Sequence, residues 1–282
     1  MPILSLILNI FFFQFHFLFV DLQNKTKLAI VQFEVKLTGL LLTNGGPLNQ
    51  TQGDVPYGVL LKPGLSAPIH QHFFCFRMEP CVDGFDNCVS EVNYDSSTSS
   101  QNVQGNGLHK TEVIFTREFQ AQRNISLEKG RFWKILNRSR FNKMGSPVSF
   151  RIVPYDNCIS YINPYSPIAK RAKFIEKHLW VTPFSPCEKY PSGDYPNQPN
   201  FAYIGLPTYV RNNRPIADTS LSVWYTLGVL HTPRLEEWPI MPVTRTSFSL
   251  IPDGFFDENP TIHLQKRHSD PKPGCHVVKS KL

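Results

Sequence analysis

Charge is scarce in this 282-residue chain: Asp, Glu, Lys and Arg make up 18% of it, while hydrophobic residues reach 41%. That balance marks a globular chain with material for a sizeable core. The formal net charge of +7 comes with no long basic run and no nucleic-acid-binding motif, which excludes a nucleic-acid partner and leaves an ordinary basic surface. No Cys-x-x-Cys pair occurs, and six cysteines, at positions 75, 81, 88, 158, 187 and 275, are too thinly spread for a disulfide scaffold. They read as reduced thiols of an intracellular protein, with a bridge among Cys75, Cys81 and Cys88 left open. There is no internal repeat and no domain-scale linker. The length suits one large all-β domain or two smaller ones.

The two ends carry conflicting addresses. The first 20 residues are mostly Ile, Leu and Phe, but they lack a basic start and a small-residue cleavage site. Asn9, Gln14 and His16 interrupt the run and argue against a transmembrane span. The chain closes on Ser280-Lys281-Leu282, the tripeptide read by the peroxisomal import receptor, on a polar tail over 263–282. The C-terminal address is the one expected to operate. A secretory destination is the alternative, and it would make the sequons at Asn24, Asn49, Asn124 and Asn137 glycan sites.

Between the ends, short β-rich runs alternate with Gly, Pro, Asn and Asp. Strands are predicted over 32–42, from His70, over 88–92, 112–119, 148–153, 221–230 and 247–251. Loops are predicted over 43–68 and 183–215. One helix is predicted near 166–178, with Pro167 at its first position and His178 at its end, where the helix dipole favours a cation. Many strands, long loops and a single short helix predict a large antiparallel β-sandwich.

Within it, His70-Gln71-His72-Phe73-Phe74-Cys75-Phe76-Arg77 stands out. Side chains alternate along a strand, so His70 and His72 share a face and offer two imidazoles to one ion. An isolated His-x-His pair needs a third ligand before it says more. His231 is the best candidate, ending the strand-like run 222–230; His178, His263, His268 and His276 are weaker. Three imidazoles with open positions suit copper, zinc or iron. Gly64 followed by His70-x-His72 also resembles the first motif of the cupins, metal-binding β-barrels, whose glutamate follows the second histidine by four or five residues. Glu79 comes seven after it. A cupin-like metal-binding β-barrel protein is the alternative reading.

Five segments then resemble the copper-containing primary amine oxidases: Phe33-Glu34-Val35-Lys36-Leu37-Thr38-Gly39, the His70 strand, Lys177-His178-Leu179-Trp180-Val181-Thr182-Pro183, Gly193-Asp194-Tyr195-Pro196-Asn197-Gln198 and Trp238-Pro239-Ile240-Met241-Pro242. Gly254-Phe255-Phe256-Asp257 resembles the family's last strand region. The likeness runs in order over 32–262, follows a non-family apolar segment at 1–31, and corresponds to the C-terminal part of a longer catalytic domain. The resemblance implies copper held by His70, His72 and His231, with Met241 close by. It implies oxidative deamination of a primary amine by oxygen to aldehyde, ammonia and hydrogen peroxide, in a homodimer away from membranes. Peroxide production agrees with a peroxisomal address.

The departures matter equally. In the family the cofactor topaquinone is made from a tyrosine in an Asn-Tyr-Asp/Glu motif upstream of the segment matching 33–39, and an aspartate base lies further upstream. Here no tyrosine precedes Tyr57. Asn93-Tyr94-Asp95 repeats the tripeptide on the wrong side of His70 and reads as a turn after a strand. The expectation is an inactive copper-binding fragment with no catalytic or quinone residue of its own and with uncovered sheet edges. A second, calcium-like site is expected to be lost, since Glu79 fits one ligand position but Cys81 and Ser220 stand at others.

Overall fold

A computed structural model describes residues 4–12, 18–25, 30–96, 102–196 and 205–262, the first two segments by backbone alone. In chain order the strands are β1 (Leu4–Phe12), β2 (Leu18–Lys25), β3 (Ile30–Leu40), β4 (Asn44–Gly45), β5 (Gly58–Lys62), β6 (Leu65–Pro68), β7 (His70–Val82), β8 (Cys88–Ser96), β9 (Leu108–Ile114), β10 (Phe132–Phe141), β11 (Pro147–Pro154), β12 (Leu179–Pro183), β13 (Leu221–His231) and β14 (Ile240–Asp253). A four-stranded sheet in the order β1-β7-β13-β12 faces a seven-stranded sheet in the order β2-β3-β14-β11-β10-β8-β9. A small sheet, β4-β6-β5, flanks them. All pairings between these strands are antiparallel, so the expected all-β sandwich is what the chain forms.

Aromatic rings tie the two sheets together. Phe76 and Tyr225 from the smaller sheet meet Phe33, Trp133 and Phe248 from the larger one. Phe33 stacks on Phe248 at 4.4 Å, Phe76 meets both edge-on at 5.8 and 5.3 Å, and Tyr225 lies 4.7 Å from Phe248. Each such pair adds about 0.5–1.5 kcal/mol beyond simple burial, so this cluster sets how the sheets register. The smaller sheet is buried on its other face too. Phe73, Cys75, Trp180 and Trp224 pack against Phe174, Ile175, Leu206 and Val210 from three short helical segments. Burial on both faces explains why β7 reads as an unbroken apolar run.

Several expectations change. The helix is shorter than 166–178: Ser166 caps it by accepting from the Ala169 N–H at 3.1 Å, but the α-helix α1 (Pro167–Arg171) stops there and a 3-10 turn covers Lys173–Glu176. The 43–68 stretch holds β4, β5 and β6, too short to show a period. Glu112 belongs to β9, which ends at Ile114, and a 3-10 turn spans Glu118–Ala121. The strands β10 and β12 have no counterpart in the sequence reading. Asn93, Tyr94 and Asp95 lie inside β8, opposite Thr111, Lys110 and His109, and do not form a turn. The sheet edges expected to be bare are occupied, since β1 pairs along β7 and β2 along β3.

The described cysteines 75, 81, 88, 158 and 187 are free thiols, and burial pushes Cys75 up to about 12. Asn137 cannot carry a glycan on the folded chain: it is buried, and its side-chain nitrogen donates to the Val82 and Asp83 carbonyls at 2.9 and 3.1 Å. Asn124 is half-buried and donates to the Glu176 carbonyl, whereas Asn49 is exposed. Among the described residues, no helix is long and apolar enough to cross a membrane. The side chain of Asn24, Cys275, His263, His268, His276 and Ser280-Lys281-Leu282 lie outside the described residues.

The end of β13 beyond Tyr225 outruns β12, and a crossing segment takes over its hydrogen bonds. The Asn157 side chain donates to the Thr226 carbonyl at 3.2 Å and accepts from the Gly228 N–H at 2.6 Å, while the Cys158 N–H donates to the Gly228 carbonyl at 3.1 Å. The approach is close enough to require glycine. A Cβ on Gly228 would lie 2.4 Å from the Cys158 carbonyl oxygen and 2.8 Å from the Phe73 ring. Gly228→Ala is therefore predicted to destabilise the fold by about 1–3 kcal/mol, the usual cost of overpacking, read as a lower urea midpoint at unchanged slope.

Candidate metal centre

The inner face of the smaller sheet runs out of the core toward one end, and there its apolar side chains give way to histidine. On β7 the sequence along that face is Met78, Phe76, Phe74, His72, His70; on β13 it is Tyr225, Leu227, Val229, His231. Antiparallel pairing sets His231 directly opposite His70 and Val229 opposite His72. Opposed residues in such a pair have Cβ atoms about 4.5–5.5 Å apart, so register alone gathers the rings. Their centroids are 4.6 Å apart for His70 and His72, 5.0 Å for His70 and His231, and 6.5 Å for His72 and His231. One ligand atom from each lies within 4.8 Å of the others.

Hydrogen bonds fix which nitrogens face inward. The Nδ1 of His70 is 2.9 Å from the Pro68 carbonyl, which can only accept, so Nδ1 carries the proton and Nε2 presents its lone pair. That Nε2 is 2.9 Å from Nε2 of His72. Two nitrogens bonded at right angles to one ion, each at about 2.0 Å, stand about 2.8 Å apart. On His231, Nε2 is 2.8 Å from the Glu237 carboxylate, which leaves Nδ1 for a ligand role. Burial opposes charge on Glu237, but hydrogen bonds from His231 and Arg234 outweigh it and lower its pKa. The arrangement suits an imidazole-seeking divalent ion of the first transition row.

Neighbouring residues hold the strand ends. Gln71, between the two histidines and on the opposite face, donates to the Ile159 carbonyl at 2.8 Å and accepts from the Tyr161 N–H at 2.9 Å. Ile69 donates its N–H to the Tyr57 carbonyl at 2.9 Å, which ties the start of β7 to the small sheet. Neither Gln71 nor Glu237 was identified from the sequence. Glutamine has no characteristic spacing, and Glu236-Glu237 reads as surface charge ahead of Trp238.

The other candidates separate from this centre. His178 is buried, with its ring between the Asn124 side chain at 3.0 Å and the Cys158 carbonyl at 3.3 Å. Burial lowers its pKa, so it is a neutral core histidine and not a cation serving a helix end. Glu79 pairs with Arg77, whose guanidinium lies over the rings of Phe184 and Trp224 at 5.7 and 5.5 Å. That carboxylate already has a cation, and among the described residues the three histidines form the sole grouping of three or more metal-type ligands. Tyr94 lies in the other sheet with its ring 6.2 Å from Phe132, and Asp95 pairs with Lys129. Met241 lies opposite Gly39, its carbonyl accepting from the Thr38 hydroxyl at 2.9 Å.

Comparison with known proteins settles the family. A model described as the copper amine oxidase enzyme domain matches residues 23–270. This chain belongs to the copper amine oxidases. The match displaces the cupin-like alternative. The copper methylamine oxidase of Arthrobacter sp. (strain P1) is 39% identical over 256 residues, covering 88% of this chain and 39% of that protein. A peroxisomal copper-containing diamine oxidase of Nicotiana tabacum is 36% identical over 239 residues, 83% of this chain and 30% of its own length. The crystal structure of a copper-containing benzylamine oxidase from Hansenula polymorpha superposes with a TM-score of 0.77 at 30% identity, covering 82% of this chain and 36% of that one. The chain thus spans less than two-fifths of the length of these relatives.

Removing one imidazole of the three-histidine cluster tests its geometry. His231→Ala should weaken binding of Cu(II) to the chain by more than about 100-fold, beyond the loss typical of altering an outer partner, with the circular dichroism spectrum unchanged. Isothermal titration of both proteins reads the difference, and equal affinities would contradict the assignment.

Proposed function

We propose that this chain builds the copper-holding part of a primary amine oxidase, with His70, His72 and His231 as the copper ligands. The observation that carries the reading is the convergence of three imidazoles, two of them with facing nitrogens 2.9 Å apart, in a chain of this family. Copper fits the donor set, because Cu(II) binds nitrogen ligands more tightly than its divalent neighbours. When bound, it supplies the redox chemistry with oxygen that the family requires. The chain's own part is to hold three neutral imidazoles on a rigid sheet at the open end of an apolar core.

Topaquinone does not fit the residues present. No tyrosine precedes Tyr57, and β1, which runs beside the ligand strand, contains none. Tyr94 belongs to the other sheet. Tyr225 lies on the ligand face of β13, but six residues from His231, which is about 20 Å along a strand. It is also fully buried, and that burial pushes its phenol well above its ordinary range. We therefore assign amine and oxygen as substrates of the intact family assembly, a homodimer, and assign to these 282 residues copper binding without turnover.

The peroxisomal address in Ser280-Lys281-Leu282 agrees with two tobacco relatives described as peroxisomal. A fluorescent fusion at the N-terminus should form puncta that disperse when residues 280–282 are removed; delivery to the secretory pathway would overturn the assignment. For the chemistry, the full chain loaded with copper in air is predicted to give no coloured hydrazone with phenylhydrazine and no peroxide with methylamine or benzylamine. A coloured adduct would show that a quinone forms, and Tyr94 would be the residue to replace next.

A further inference from the structure

We propose that Glu237 is the positioning residue of the third copper ligand, holding the His231 ring in one tautomer and one orientation before the metal arrives. The proposal rests on the reading of His70, His72 and His231 as copper ligands. Glu237 ends a 3-10 turn, Leu235–Glu237, on the loop that leads from β13 back into β14. Its side chain is 8% exposed, and that of His231 is 12% exposed. One carboxylate oxygen accepts from His231 Nε2 at 2.8 Å and from the Arg234 N–H at 3.3 Å; the other accepts from Arg234 Nε and a terminal guanidinium nitrogen, each at 3.2 Å. Arg234 thus fixes the carboxylate in place, and the carboxylate fixes the imidazole.

The chemistry follows from what each group can do. An ionised carboxylate only accepts hydrogen bonds, so the Nε2 of His231 must carry the hydrogen and Nδ1 must carry the lone pair. His70 is held in the opposite sense, its Nδ1 hydrogen given to the Pro68 carbonyl at 2.9 Å. The centre therefore uses two different holders, a neutral carbonyl on β6 and a charged carboxylate beyond β13. The carboxylate is the stronger, since hydrogen bonds to an ionised acceptor are about twice as strong as neutral ones. It also sets one negative charge behind the ring it holds.

A purely structural role is the competing explanation, because Glu237 and Arg234 also close the turn on each other. Two measurements separate them. In the metal-free wild-type chain, the ring nitrogen shifts of His231, assigned by loss of its signals in His231→Ala, should report the Nε2–H tautomer; the Nδ1–H tautomer would overturn the proposal without any change to Glu237. In Glu237→Gln, which keeps size and the capacity to cap the turn, the His231 signals should shift toward a mixture of tautomers. Its Cu(II) affinity should fall about 10–100-fold at an unchanged melting temperature. Wild-type affinity and wild-type His231 signals in that variant, with copper still lost in His231→Ala, would refute the role of Glu237 and leave the copper site standing. Undiminished copper binding in His231→Ala would remove the ligand assignment itself, and the proposal with it.

Discussion

The antiparallel pairing of β7 with β13 is the constraint on which the centre depends. It is a backbone interaction, and its register decides which side chains meet. Placing Gly228 opposite Phe73 and Tyr225 opposite Phe76 necessarily places His231 opposite His70. A slip by one residue would turn the inner face of β13 outward, sending His231 away from the pair and Tyr225 out of the aromatic cluster. The histidine cluster and the sandwich core are therefore specified together. The apolar residues that hold the sheets face to face also hold the histidines in place, so no separate scaffold is needed.

What surrounds that pairing protects it. On the outer face, helical segments bury Trp180 and Trp224. Where β12 ends, Asn157 continues the hydrogen bonding of β13 with its side chain in place of a strand. Gln71 does the same for the segment that crosses β7. Asn157 thereby satisfies part-buried backbone groups that would otherwise lie unpaired, and a buried unpaired amide costs about 1–3 kcal/mol. The apolar segment at the start of the chain contributes too, with β1 running along the free edge of the ligand strand.

The sequence disclosed the local half of this arrangement. The period of two put His70 and His72 on one face, and the strand ending at His231 marked the third histidine of the cluster. The capped start at Ser166 and Pro167 was legible because capping is a local interaction. Long-range features were not: the register between β7 and β13 has no local signature, and β4 to β6 are too short to show a period. His178 misled because its pattern matched a helix end, whereas tertiary packing buried it against Asn124 and Cys158. Glu237 escaped notice because a glutamate beside another in a polar loop resembles solvated surface, and only the folded loop brings it to His231.

The proposed centre requires one ion held by these three rings at the end of the inner face. Anomalous diffraction at the copper absorption edge, on crystals of the full chain grown with Cu(II), tests it most directly. One peak is expected, within bonding distance of His70 Nε2, His72 Nε2 and His231 Nδ1. A peak elsewhere, or one that excludes His231, would contradict it.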